Sequence, residues 1–360
     1  MFKTVLKPYD YFCCMEKNQE NPTSLEQLGE FGLIDRLTKD LQLINKSSVL
    51  GVGDDAALIQ QSGQLTVIST DMLVEGVHFD LLYTPLKHLG YKAVIVNLSD
   101  IYAMNAKPEQ ITVSLAVSNR MSVEALEEIY QGIRLASEIY GLDLIGGDTT
   151  SSLSGTVISI TAIGSVEKNK AVQRSGAKEN DLICVSGDLG AAFAGLQILE
   201  REKAVFKENQ KASIDLSGKD YILERQLKPE ARKDMIEFFE KEDILPTSMI
   251  DVSDGLSSEL IHLSKASSVG MQIYENKLPI DPTTVTTCEE LNINPTVAAL
   301  NGGEDYELLF TLPLSMYEKI KTVKEIRMIG HVTSLSEGNF MVAQGSEEMV
   351  PLTAQGWEHK

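Results

Sequence analysis

Short acidic clusters set among glycine, serine and alanine recur along this chain, mostly where an apolar or β-rich run ends. They are Gly51-Val52-Gly53-Asp54-Asp55-Ala56-Ala57, Ser69-Thr70-Asp71, Asn97-Leu98-Ser99-Asp100, Gly146-Gly147-Asp148-Thr149-Thr150, Asp251-Val252-Ser253-Asp254-Gly255 and Gly302-Gly303-Glu304-Asp305. Alone, each reads as turn or cap chemistry. Their repetition is harder to assign to capping. Glycine lets a backbone approach a ligand closely, and adjacent carboxylates repel unless a cation lies beside them.

The intervening segments alternate between two periods. Leu65 to Ser69 alternates as a strand, and Ile111 to Val117 and Thr156 to Val166 read the same way. Leu86 to Met104 is helix-like. Ser122 caps a helix whose apolar stripe is Val123, Leu126, Ile129, Ile133, Ala136 and Ile139. Glu75 to Phe79 reads as a loop, and Leu142 to Ile145 runs into Gly146. Beyond Glu167 come a strand at 182–185, a helix at 191–200 and a charged segment at 201–218 that reads as a linker or insertion. A helix opened by Pro229, a strand at 249–252 and a helix at 256–267 follow, with strands at 271–274, 306–312 and 328–332. Strands and helices mix in both halves, so the class is α/β or α+β. The expected divisions are an extension over 1–22, a first domain over 23–166 and a second over 167–360. A helix is expected from Ser24, with Leu28, Phe31, Ile34, Leu37 and Leu41 at helical spacing.

The chain has 360 residues and a net charge of −20, which excludes nucleic-acid binding through a broad basic face. An acidic protein still binds anionic phosphates when divalent cations bridge the two. The four cysteines, Cys13, Cys14, Cys184 and Cys288, have neither zinc nor disulfide-framework spacing. No signal peptide and no membrane-length apolar run are read, so the expected setting is the reducing cytoplasm.

Magnesium takes hard oxygen ligands, one or two carboxylates per ion. Asp55, Asp71, Asp100, Asp148 and Asp251 could serve several ions around a triphosphate, with Ser69 and Thr70 adding oxygens. Such ions neutralise charge during phosphoryl transfer, which asks little covalent work of a protein. No P-loop is present, since Ser217-Gly218-Lys219 is followed by Asp220, and no EF-hand spacing either. By themselves His78 reads as structural, Arg174 as a surface charge and Trp357 as core.

The clusters, together with Gly76-Val77-His78-Phe79, Arg174-Ser175-Gly176-Ala177-Lys178, Tyr306-Glu307-Leu308 and the terminal Gly356-Trp357-Glu358-His359, resemble thiamine-monophosphate kinases in order from about residue 28 to residue 359. The resemblance implies the two-domain fold shared with aminoimidazole ribonucleotide synthetase, with N-terminal sheets paired across a homodimer and ATP between the domains. It implies Mg²⁺ ligands at Asp55, Ser69, Thr70, Asp71, Asp100, Asp148, Asp251 and Asp254, of which Asp71, Asp100 and Asp148 form the catalytic centre. It places ATP on Tyr130, Gly147, Asp148, Arg174 and Ser253, and thiamine phosphate on His78, Glu304 and Trp357. A flat cationic ring suits an aromatic face and a carboxylate. The chain departs from the family pattern at Glu179-Asn180-Asp181, where Pro-Gly-Asp is common, and at its His359-Lys360 end. Selenophosphate synthetase, aminoimidazole ribonucleotide synthetase and a non-catalytic nucleotide sensor are the rival readings. Cys13-Cys14 lie outside the matched region, and the metal-ligand positions are filled.

Overall fold

The computed structural model describes residues 47–51, 53–61, 63–209, 216–346 and 348–354. All of them belong to one compact unit spanning residues 43–359. The expected extension over 1–22, the expected helix from Ser24 and Trp357 lie outside the described residues.

The first half is a six-stranded sheet in the order β1-β2-β3-β6-β4-β5, built from β1 (Ser48–Leu50), β2 (Ala57–Gln61), β3 (Gln64–Val74), β4 (Lys107–Ser118), β5 (Asp143–Ser152) and β6 (Val157–Glu167). The central β3–β6 ladder is antiparallel and runs from Gln64↔Glu167 to Val74↔Val157. Helix α1 (Leu86–Ala103) packs on this sheet, and α2 (Val123–Tyr140) packs on α1. Val67, Ile111 and Ile158 from the strands meet Leu89, Ile95 and Ile129 from the helices. The strands therefore alternate, as the period of two requires. α2 starts as expected: the Ser122 side chain accepts from the Ala125 N–H at 3.2 Å. α1 is buried on nearly all sides, which marks a helix enclosed within the protein. It touches the other half too, through Ala103 beside Met235 and Phe310. The two helices cross so closely that a side-chain carbon on Gly90 would lie 1.9 Å from the Ile129 carbonyl oxygen. One on Gly132 would lie 1.9 Å from that of Lys87.

The second half is a seven-stranded sheet in the order β13-β12-β9-β11-β7-β10-β8. Its strands are β7 (Leu182–Ser186), β8 (Ser248–Asp251), β9 (Gly270–Tyr274), β10 (Leu308–Leu312), β11 (Ile326–Thr333), β12 (Asn339–Val342) and β13 (Met349–Pro351). Its helices are α3 (Ala191–Glu208), α4 (Asp220–Leu227), α5 (Lys233–Glu242), α6 (Leu256–Ser267), α7 (Pro282–Glu290), α8 (Pro295–Asn301) and α9 (Tyr317–Ile320). Ile183, Val185 and Leu309 pack in one core cluster with α6, and Cys184, Met249 and Phe310 in another with α5. Phe239 meets Phe310 edge-on at 5.1 Å.

Several local expectations change. The segment read as a linker from residue 201 continues α3 to Glu208, where Lys203 pairs with Glu200 and Asp80, each at 2.9 Å. Charge there is a helix face, not a break. Pro229 does not open a helix. The backbone turns at Arg232, whose guanidinium reaches Glu307 at 2.5 Å and Asp234 at 2.7 Å, and α5 begins at Lys233. Gly146-Gly147-Asp148 is neither turn nor cap; it lies within β5, paired in parallel with β4. In the Glu179-Asn180-Asp181 loop, Asn180 takes φ 73°. Asparagine tolerates this left-handed conformation better than most residues, so the turn forms without the usual glycine. Asp181 then accepts from the Lys178 N–H and the Thr247 hydroxyl, at 3.0 and 2.7 Å. No helix among the described residues is long and apolar enough to cross a membrane.

Candidate active site

Three carboxylates from distant parts of the chain meet between the two sheets. Asp55 comes from the turn before β2, Asp100 from the last turn of α1 and Asp251 from the end of β8; each offers an oxygen within 4.8 Å of the others. Asp55 and Asp251 are 8% and 3% exposed. Each residue is delivered by ordinary local structure. Pairing of Leu308 with Asp251 ends β8 at the acidic residue. The helical path of α1 brings Asn97 and Asp100 toward β3, where the Asn97 side chain accepts from the Asp71 N–H at 2.9 Å. The Ser69 hydroxyl donates to Asp100 Oδ2.

The charges disfavour one another. Burial, then repulsion from Asp71, Asp251 and Asp55, holds the Asp100 carboxyl well above the usual range. Burial and the Asp55 charge push Asp251 up to about 8. Asp54 is raised to about 6 by burial and by Asp55. Arg174 is the one cation at the cluster among the described residues. Its guanidinium donates to Asp55 Oδ1 at 2.7 Å, and its backbone N–H donates to Asp54 at 3.2 Å. Burial works against the guanidinium charge, but Asp55 holds it on. Asp55 Oδ2 is buried and has no hydrogen-bond partner. A buried carboxylate oxygen with no donor among the described residues, beside two further carboxylates, is the donor set of a hard cation.

The other expected residues fall around this centre in different ways. Asp71 shares β3 with Ser69, and its charge acts on both Asp100 and Asp251. Thr70 lies between them in the strand, so its side chain takes the opposite face. There its hydroxyl donates to the Ile160 carbonyl and accepts from Thr161. Asp254 and Ser253 follow Asp251, and both backbone N–H groups donate to buried Glu259, at 2.8 and 3.0 Å. Glu304 is tied to the same segment, its N–H donating to the Ser253 carbonyl at 2.6 Å. His78 accepts from the Val74 N–H at 3.0 Å. Tyr130 packs half-buried on α2. Gly147 sits so close to β4 that a side-chain carbon would lie 1.9 Å from the Val113 carbonyl oxygen. Asp148 is exposed on β5 and is not part of the cluster. With β6 and β4 between β3 and β5, it lies about 14 Å across the sheet from Asp71.

Some residues here have no site role in the sequence analysis, although Lys92 begins one of the runs that carry the resemblance. Lys92 and Gln226 are buried against Glu304, and Glu259 caps the Ser253 turn. Neither Glu259 nor Gln226 stood in a recognised pattern: Glu259 lies outside the three-residue capping-box spacing from Asp254, and Gln226 is a lone polar residue in a short helix.

Residues 53–166 match the family model for AIR synthase related protein, N-terminal domain. The thiamine-monophosphate kinase of Bacillus subtilis (strain 168) is 35% identical over 342 residues, covering 92% of this chain and 99% of that protein. That of Aquifex aeolicus (strain VF5) is 34% identical over 335 residues, covering 93% and 99%. Among solved structures, AaThiL complexed with AMPPCP and TMP superposes with a TM-score of 0.78 at 32% identity, covering 94% of this chain and 99% of the other. The two-sheet architecture is thus that of the AIR synthase related proteins, and the chain belongs to the thiamine-monophosphate kinase family.

Proposed function

We propose that this enzyme transfers the γ-phosphoryl group of ATP to thiamine phosphate, giving thiamine diphosphate. The observation that carries the reading is the convergence of Asp55, Asp100 and Asp251 beside Arg174, in a chain of this family. Asp55, Ser69, Asp71, Asp100 and Asp251 would hold Mg²⁺ at the centre, with Asp254 beside them. Thr70 can contribute only its carbonyl oxygen, since its hydroxyl faces away. Asp148 is assigned to a separate ion, because it lies apart on β5. Bound Mg²⁺ supplies neutralisation of the phosphate charge.

The protein's own residues do the remaining work. Arg174, Gly147 and Ser253 hold the triphosphate and Tyr130 the adenine side. Close packing of Gly147 on β4 leaves that strand free of side-chain bulk. His78, Glu304 and Trp357 hold the acceptor. The terminal phosphate oxygen of the acceptor attacks the γ-phosphorus in line, the bond to the ADP oxygen breaks, and no phosphoenzyme forms. A phosphate monoester has a second pKa of about 6, so the attacking oxygen is already anionic and no general base is required.

The working form in this proposal is a homodimer paired through the first sheet. Its β5 edge is exposed along its length, with Leu144 and Ile145 at 42% and 58% exposure. An open strand edge with two exposed apolar residues favours pairing with another chain. The setting proposed is the cytoplasm. The test is ADP release from Mg-ATP with thiamine phosphate, with free thiamine and aminoimidazole precursors as controls. Turnover confined to thiamine phosphate, with thiamine diphosphate as product, supports the reading. ATP binding without that turnover transfers the weight to another acceptor, and Trp357→Ala with unchanged acceptor affinity removes Trp357.

A further inference from the structure

Glu304 lies on the loop between α8 and β10, in an unusual backbone. Glu304 and Tyr306 have φ of 55° and 51°, a region that residues with side chains seldom enter. Hydrogen bonds to Ser253 and Val252 hold this path, so the loop moves with the strand end that carries Asp251. Its carboxylate is gripped from two sides. Lys92 Nζ on α1 lies 3.0 Å from one oxygen, and Gln226 Nε2 on α4 donates to the other at 2.8 Å. Lys92 Nζ also donates to the Gln226 carbonyl at 3.0 Å, closing the triangle. Lys92 and Gln226 are 4% and 5% exposed.

The Gln226 side-chain oxygen Oε1 is buried and has no hydrogen-bond partner among the described residues. Turning the amide over would set that oxygen against the Glu304 carboxylate, so the carboxylate fixes the orientation. Buried acceptors normally have donors, and an unused one beside Glu304 points to a ligand that brings an N–H group.

We propose that Lys92 and Gln226 are the positioning residues of Glu304, and that Gln226 Oε1 accepts a hydrogen bond from the amino group of the acceptor's aminopyrimidine. The proposal rests on the thiamine-phosphate reading. Helix α1 makes it consistent with that ligand. Lys92 and Asp100 sit about 12 Å apart along one helix, so a single rigid element spaces ring recognition from the carboxylate centre.

Steady-state kinetics of the full-length protein test this with Lys92→Met, Gln226→Leu, Glu304→Gln and the Lys92→Met/Glu304→Gln pair. The KM for thiamine phosphate should rise on the order of tenfold in each single variant while the KM for ATP stays within about twofold. The double variant should be no worse than Glu304→Gln. An analogue with a carbonyl in place of the amino group should be rejected by the wild type and no longer discriminated against by Gln226→Leu. An unchanged KM for thiamine phosphate, a parallel rise for ATP, additive losses in the double variant, or full discrimination by Gln226→Leu would overturn the proposal. If Lys92→Met does not fold, Gln226→Leu changes no charge and carries the test. A wild type inactive on thiamine phosphate overturns the function itself and the clamp with it, an outcome read before any variant is made.

Discussion

Asp251→Asn should make the metal-free protein more stable while abolishing its turnover. The carboxylate oxygens of Asp55, Asp100 and Asp251 lie within 4.8 Å of one another, so one pair of charges repels by about 3.5 kcal/mol at an effective dielectric constant near 20. Burial adds to this. A rise of the Asp251 pKa from 3.8 to about 8 amounts to about 6 kcal/mol, at about 1.36 kcal/mol per pH unit. Because the folded-state value lies above the unfolded one, the folded protein binds more protons between pH 3.8 and about 8. Stability therefore falls as pH rises through that window, and the loss is complete above it. Asparagine keeps the shape and removes the charge. Urea unfolding in EDTA should show a gain of about 3 to 6 kcal/mol at pH 8, shrinking to about 1 to 2 kcal/mol at pH 5, with the slope against urea unchanged. Mg²⁺ should stabilise the wild type at pH 8 and the variant much less. A variant no more stable than the wild type in EDTA at pH 8, or a gain that does not vary with pH, would refute the electrostatic account of the cluster.

Arg174→Met leaves Asp55 buried without its counter-charge, so it should cost about 3 to 5 kcal/mol in EDTA at pH 8 by urea unfolding; the loss should shrink in acid, as the carboxyl takes a proton. Asp71→Asn should lower turnover about 10²-fold or more in the coupled ADP assay without lowering the unfolding free energy in EDTA, since it removes a charge that repels Asp100 and Asp251. An active Asp71→Asn enzyme would remove Asp71 from the metal site. Gly132→Ala forces α1 and α2 apart at their closest approach and should destabilise by about 1 to 3 kcal/mol, measured by thermal or urea unfolding. Since α1 also carries Asp100 and Lys92, the residual activity of that variant should fall with it.

Much of the architecture was legible because its causes are local. The 3.6-residue stripe and the Ser122 cap specify α2, and the alternation around Val67 specifies β3. The lengths of these elements were less legible. Charged residues after 200 look like a linker until Asp80, from another element, is seen to take up Lys203. Pro229 looks like a helix start until Arg232 is seen to be drawn out of helical geometry by Glu307. Helix α4 is only eight residues long, so its apolar residues Tyr221, Ile222 and Leu223 give too short a period to read, and Gln226 is placed only by the packing that buries it.

The acidic residues of the candidate site divide along the same line. Local chemistry made each of them conspicuous, because carboxylates among small residues stand out without any knowledge of neighbours. Period two along β3 already implies that Ser69 and Asp71 share a face and that Thr70 turns away. Which carboxylates meet is a different question. Asp55, Asp100 and Asp251 come from a turn, a helix and a strand far apart in the chain, and nothing near any of them encodes the others. Their repulsion opposes the meeting, so it exists only where the burial of α1 against both halves, and the single guanidinium of Arg174, outweigh it. Asp148 has an equally conspicuous local setting, yet strand order alone leaves it on an exposed edge, with two strands between it and β3.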